Sequence, residues 1–148
     1  MNWPLVFNLA NLVALLMWVI LIALPRRPAL LSLVLYGGVG LLCLAYTAGV
    51  VGLLTGTLSG GGDGSANFTT IAGVRAIFAS DGGATIGWIH FLALDLFAGL
   101  WIARDADGKG FSRWVQAPIL LLTFVAGPAG LLIWLIIRER RARKGSAG

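Results

Sequence analysis

Residues 84–103 read ATIGWIHFLALDLFAGLWIA. At about 1.5 Å of helical rise per residue this run is roughly 30 Å long, the thickness of a bilayer's hydrocarbon core. Only His90 and Asp95 in it can ionise. A carboxylate at mid-bilayer costs about 2.5–3.5 kcal/mol on insertion scales, so Asp95 must have a reason to be there. Two reasons stay open: a neutral Asp hydrogen-bonded to a neighbouring helix, or a proton donor, acceptor or ligand anchor. His90 is five residues earlier, which turns a helix by roughly 140°. The two side chains therefore do not share a face, and each meets a different neighbour. For His90 the structural alternative is an interface residue bonded to a backbone carbonyl.

Outward from this run the chain is a series of similar segments. The apolar stretch 4–24 ends at Pro25-Arg26-Arg27-Pro28, where two prolines and two charges cannot continue a buried helix. A second stretch covers 29–54 and is long enough to tilt. Residues 56–67 are rich in Gly, Ser and Thr and read as a flexible loop. Their glycine run lacks the Lys-Ser/Thr that a phosphate-binding loop requires. Residues 68–79 form a short helix, too short to span, that carries Arg75 and reads as interfacial or re-entrant. After span 84–103, the loop from Arg104 to Gly110 leads to a fourth stretch, 114–137, bent if anywhere at Pro128. A basic tail covers 138–148.

The expected fold is therefore all-α: one integral membrane domain over 1–148, a four-helix bundle with a short interfacial or re-entrant helix between spans two and three. Composition agrees, with 58% hydrophobic and only 11% charged residues, against about 25% charged in a soluble domain. The net charge of +5 is clustered beside apolar runs, a pattern for lipid headgroups and not for nucleic acid. Four spans put both termini on one side. Arg26, Arg27, Arg104, Lys109 and Arg113 then nearly balance Arg75 and the tail, leaving the orientation undetermined. Residues 1–4 carry no basic leader, so the first span reads as retained.

Chemistry-bearing motifs are few. The single Cys43 and single His90 exclude an intramolecular disulfide, a cysteine-based zinc site and a bis-histidine haem within one chain. No metal site is expected, and no nucleophile elbow, HExxH or dinucleotide fingerprint occurs. Small and polar stripes on spans one, two and four mark helix contacts or a polar cleft lined by Asn11, Tyr46 or Thr47, Asp95 and Thr123. Trp88 and Phe91 lie beside His90 and could flank a flat apolar ligand. Arg75 is a candidate partner for Asp95, since a buried carboxylate wants a cation.

The run Trp88-Ile89-His90-Phe91-Leu92-Ala93-Leu94-Asp95-Leu96-Phe97-Ala98 resembles the signature of the abscisic-acid-deficient-four-like family, membrane proteins that plants need to make neoxanthin from violaxanthin. Ile71-Ala72-Gly73, Ile77-Phe78, Asp105, Pro128 and Gly130 fit the same pattern in order. One departure is Leu100, where plant-type members carry Arg. With no recognisable plastid transit peptide, the chain looks like a bacterial member of the inner membrane. The resemblance implies a membrane isomerase acting on carotenoid epoxides or related isoprenoids, with no redox cofactor. Such an isomerisation needs an acid at the epoxide oxygen and a base at a neighbouring C–H. Asp95 is the expected acid, because apolar surroundings favour a protonated carboxyl; His90 is the base or orients the ligand. Trp88, Phe91, Asn11, Thr47, Arg75 and Thr123 are the expected binding residues. The competing readings are a non-catalytic carotenoid- or lipid-binding scaffold and a small proton or solute transporter. Membrane lipid is the expected partner, and an oligomer is compatible with the chain.

Overall fold

The structure is a computed structural model that describes residues 1–60 and 67–145, with side chains as far as Glu139. Six helices follow in order: α1 (Trp3–Ala23), α2 (Pro28–Leu54), α3 (Ile71–Phe78), α4 (Asp81–Gly108), α5 (Arg113–Val125) and α6 (Gly127–Gly145). Among them α1, α2 and α4 are long and apolar enough to cross a membrane. Leu5, Leu9, Leu12, Leu16 and Val19 stand exposed along α1, as they must where lipid is the solvent. The all-helical membrane bundle expected from the sequence is what the structure has.

Helix α4 is the central post. Ile86, Ile89, Ala93, Leu96, Leu100 and Ala103 are buried at intervals of three and four residues, the spacing of one helical face. Against it lies α1, whose Ala10 and Ala14 are small enough to bring the two backbones together. Trp18 of α1 lies over Gly99, whose missing Cβ makes the room. Helix α2 widens to π-type bonding over Leu33–Gly40. There a Cβ on Gly38 would stand 2.7 Å from Met17 Cγ and 2.9 Å from Leu96 Cδ2, so glycine is what lets α2 seat on α1 and α4.

Stretch 114–137 is not a fourth crossing. Its helix stops at Ala126 (φ −148°, ψ 74°) and restarts at Gly127 with Pro128, which has no N–H to give the preceding turn. The chain then folds back on itself. A Cβ on Gly130 would stand 2.7 Å from Thr123 Cα, and the Phe111 and Trp134 ring centroids are 5.0 Å apart. In one straight helix the latter pair would be roughly 34 Å apart. Helices α5 and α6 therefore form a re-entrant hairpin whose tip rests against Asp95, near the middle of α4. At 13 residues, α5 is about 20 Å long, too short to cross. The expected fourth span is corrected to this hairpin, and with it the side on which the chain leaves the membrane. Arg138 donates from Nε to Asp105 Oδ2 at 2.8 Å, so α6 emerges at the end of the bundle where α4 finishes, opposite Met1.

That end is laced with charge. Asp105 also receives Lys109 Nζ at 2.7 Å and Trp134 Nε1 at 3.0 Å. Asp107 accepts from Arg26 Nη1 at 3.0 Å and Gln116 Nε2 at 2.9 Å. Arg113 Nη2 caps α1 by donating to the carbonyls of Ile22 and Leu24, where helix ends leave acceptors unpaired. Burial pushes the Arg26 guanidinium below its ordinary value, while Asp107 beside it works the other way. These pairings carry α4 on to Gly108, so Arg104–Asp107 is helix and not the loop expected there. The expected loop at 56–67 is in part outside the described residues (61–66). Its described beginning is held, since Trp3 Nε1 donates to the Ser59 carbonyl at 3.0 Å.

Candidate functional site

At the opposite end of the bundle a groove of about 600 Å³ opens between α2, α3 and α4. Thr70 caps α3 by accepting from the Gly73 N–H at 3.0 Å, and Ser80 caps α4 by accepting from Gly83 at 3.1 Å. These two caps fix the sharp turn that lays α3 across the start of α4. Phe78 of α3 then lies over Gly87, and Ile86 of α4 lies over Gly49 of α2, where a Cβ would stand 2.8 Å away. Asn67 and Phe68 edge the groove beside α3, and Val50, Ile77 and Phe91 supply carbon walls.

Among these apolar walls His90 and Tyr46 stand ring to ring, 5.2 Å between centroids, with Phe91 edge-on to the imidazole at 5.9 Å. An imidazole can donate or accept a proton near neutral pH, and a phenol can donate one. The groove thus offers one apolar volume and one proton-handling pair. Of the two alternatives the sequence left on span two, Tyr46 is the residue at the groove. Thr47 faces away, exposed, and bonds back to the Cys43 carbonyl at 2.8 Å.

The remaining candidates lie elsewhere. Trp88 is on the α1 side of α4, its Nε1 donating to Asn11 Oδ1 at 3.0 Å and its ring stacked on Phe7 at 6.0 Å. Asp95 faces the hairpin tip, half-buried against Gly127, with no hydrogen bond or ion pair to a described residue. Thr123 is buried inside the hairpin and donates to the Ile119 carbonyl at 2.8 Å. Arg75 is exposed on α3 and forms no ion pair with Asp95. His90 and Asp95 occupy different faces of α4, as the helical turn between them requires. Leu100 is buried in the core at 2% exposure. The described residues include no cluster of three or more His, Cys, Asp or Glu side chains suited to a metal ion.

Sequence reasoning took Arg75 as the site residue of α3 and missed the side chains of that helix that line the groove, Phe78 above all. The signal was there in Gly83 and Gly87, one turn apart on α4, where a neighbour can approach closely.

A family model described as ABA DEFICIENT 4-like matches residues 5–134, from the first turn of α1 to Trp134 in the hairpin. The match takes in the groove, Asp95 and the hairpin tip. No curated protein and no solved structure matches the chain.

Proposed function

The chain belongs to the ABA DEFICIENT 4-like family, a membrane family tied by its resemblance to neoxanthin synthesis, and from that premise we propose that it binds a carotenoid epoxide or related isoprenoid in the α2–α3–α4 groove and isomerises it. The observation that carries this reading is the His90–Tyr46 pair, 5.2 Å between ring centroids, in a groove whose one other polar side chain is Asn67 at its edge. Opening an epoxide to an unsaturated alcohol breaks one C–O bond, places a proton on that oxygen and removes one from a neighbouring carbon. Atoms and electrons balance without an oxidant or reductant. His90 takes the proton from carbon, and Tyr46 or the resulting imidazolium delivers one to oxygen.

In this reading Asp95 supports the hairpin tip and positions α4, and the proton transfers are made in the groove. The sequence-based assignment of Asp95 as the acid makes the opposite forecast for Asp95→Asn, so the two are separable. The setting we propose is a bacterial inner membrane, where the natural ligand need not be violaxanthin.

The test is a pigment profile by liquid chromatography in a host that makes epoxide carotenoids. The wild type should yield a new isomer of unchanged mass, lost in His90→Gln and retained in Asp95→Asn. Loss in Asp95→Asn with normal accumulation restores Asp95 as the acid. A wild type that accumulates in the membrane and yields no new species defeats the enzymatic reading. A binding scaffold is the second reading, favoured by the groove's scarcity of polar groups. It forecasts pigment that co-purifies unchanged.

A further inference from the structure

The hairpin changes the distribution of charge across the membrane. Because α6 returns to the end where α4 finishes, Arg138 joins Arg26, Lys109 and Arg113 there. Arg27 and Arg104 flank the same helix ends, and the sequence beyond Arg138 continues on α6 with Arg140, Arg141, Arg143 and Lys144. Of the chain's 11 lysines and arginines, Arg75 alone lies at the other end. Loops rich in Lys and Arg stay on the cytoplasmic side. A bundle so lopsided therefore faces its basic end to the cytoplasm and its groove end away from it.

The groove is also shallow. Along α4 its lining runs from Gly83 to Phe91, about 12 Å of helix and less than half of a roughly 30 Å hydrocarbon core. Tyr46 beside His90 and Asn67 at the edge add polar groups, and every other wall is backbone or carbon. Such a volume accommodates one ring and the start of a chain and cannot enclose a molecule as long as the bilayer is thick.

We propose that the groove takes a single oxygenated end group of an elongated isoprenoid, delivered from the leaflet facing away from the cytoplasm, while the rest of the ligand stays in lipid. This rests on the isoprenoid reading above and adds to it a direction of entry and a unit of recognition.

Two measurements test it in the full-length protein with Cys43→Ser, which removes the lone thiol. The first applies a membrane-impermeant maleimide to intact cells carrying Ser59→Cys at the groove end or Gly108→Cys at the basic end. The thiol at 59 should label in intact cells, and that at 108 only after permeabilisation, together with a tag fused after Gly148. The reverse pattern overturns delivery from the outer leaflet. A tag on the opposite side from 108 overturns the hairpin on which the orientation rests. The second measurement follows labelling of Phe68→Cys in proteoliposomes containing a half-length apocarotenoid with one epoxide ring, or its full-length parent. Equal protection by the two supports recognition of one end. Protection by the full-length molecule alone overturns it. Protection by neither overturns the isoprenoid reading itself, whatever the labelling pattern in cells.

Discussion

The Asp95 carboxylate lies against the bare α-carbon of Gly127, in the space a side chain on that glycine would occupy. The contact joins the middle of α4 to the point where the hairpin reverses. Glycine is required there because any larger residue must displace either the carboxylate or the tip.

Gly127→Ala should accordingly destabilise the protein by about 1–3 kcal/mol, the usual cost of overpacking. Thermal unfolding in detergent would read it as a lower midpoint. Shortening the opposing side chain in Asp95→Ala/Gly127→Ala should recover much of the loss. Strictly additive losses in the pair would show that the two residues do not share that space.

At the charged end, Asp107 bridges Arg26 and Gln116. The Arg26 side chain is only 7% exposed, so removing its counter-charge leaves a guanidinium short of partners. Asp107→Asn should cost on the order of 1–3 kcal/mol. Replacing Arg26 by Met together with Asp107→Asn should cost less than Asp107→Asn alone, because the stranded charge is then gone. Denaturation midpoints of the three variants decide it.

His90→Gln should keep the fold and lose about 10²–10⁴-fold in product formation, the range for a general acid–base group. Tyr46→Phe removes only the hydroxyl and should leave the His90 ring packed, with product reduced. Product yield normalised to protein in the membrane is the readout. An unaffected His90→Gln removes the imidazole from the chemistry.

Trp88 gives the matching control. Trp88→Phe breaks the hydrogen bond to Asn11 and should cost about 0.5–1.5 kcal/mol of stability. Conversion should persist, since that indole lies on the α1 side of α4 and outside the groove lining. A selective loss of product with unchanged stability would place Trp88 in the site after all.

The membrane class and three of the crossings were legible because length and apolarity are local properties, summed along the chain. The separation of His90 from Asp95 was legible too, since it follows from helical turn alone. The hairpin was not, because residues 114–137 have the length and apolarity of a span. Only Gly127-Pro128-Ala129-Gly130 hinted at a reversal, and proline alone ordinarily bends a helix without turning it back. Site membership was legible only in part. Trp88, Asn11, Thr47 and Thr123 have polar groups that the structure satisfies locally or across helix contacts. Tyr46 and Thr47 are neighbours in sequence, and which of them meets His90 depends on how α2 is rotated, which periodicity left open.

The hairpin also gives the molecule a taper. In the basic half of the membrane α1, α2, α4, α5 and α6 stand side by side, while among the described residues α1, α2 and α4 continue beyond Gly127 with the short α3. Among the described residues five helices share the basic half and three the other, so they occupy more area in one leaflet than in the other. Such a wedge is accommodated at least cost where the bilayer bends toward its narrow side, and it gives each molecule a preference for curvature independent of any ligand.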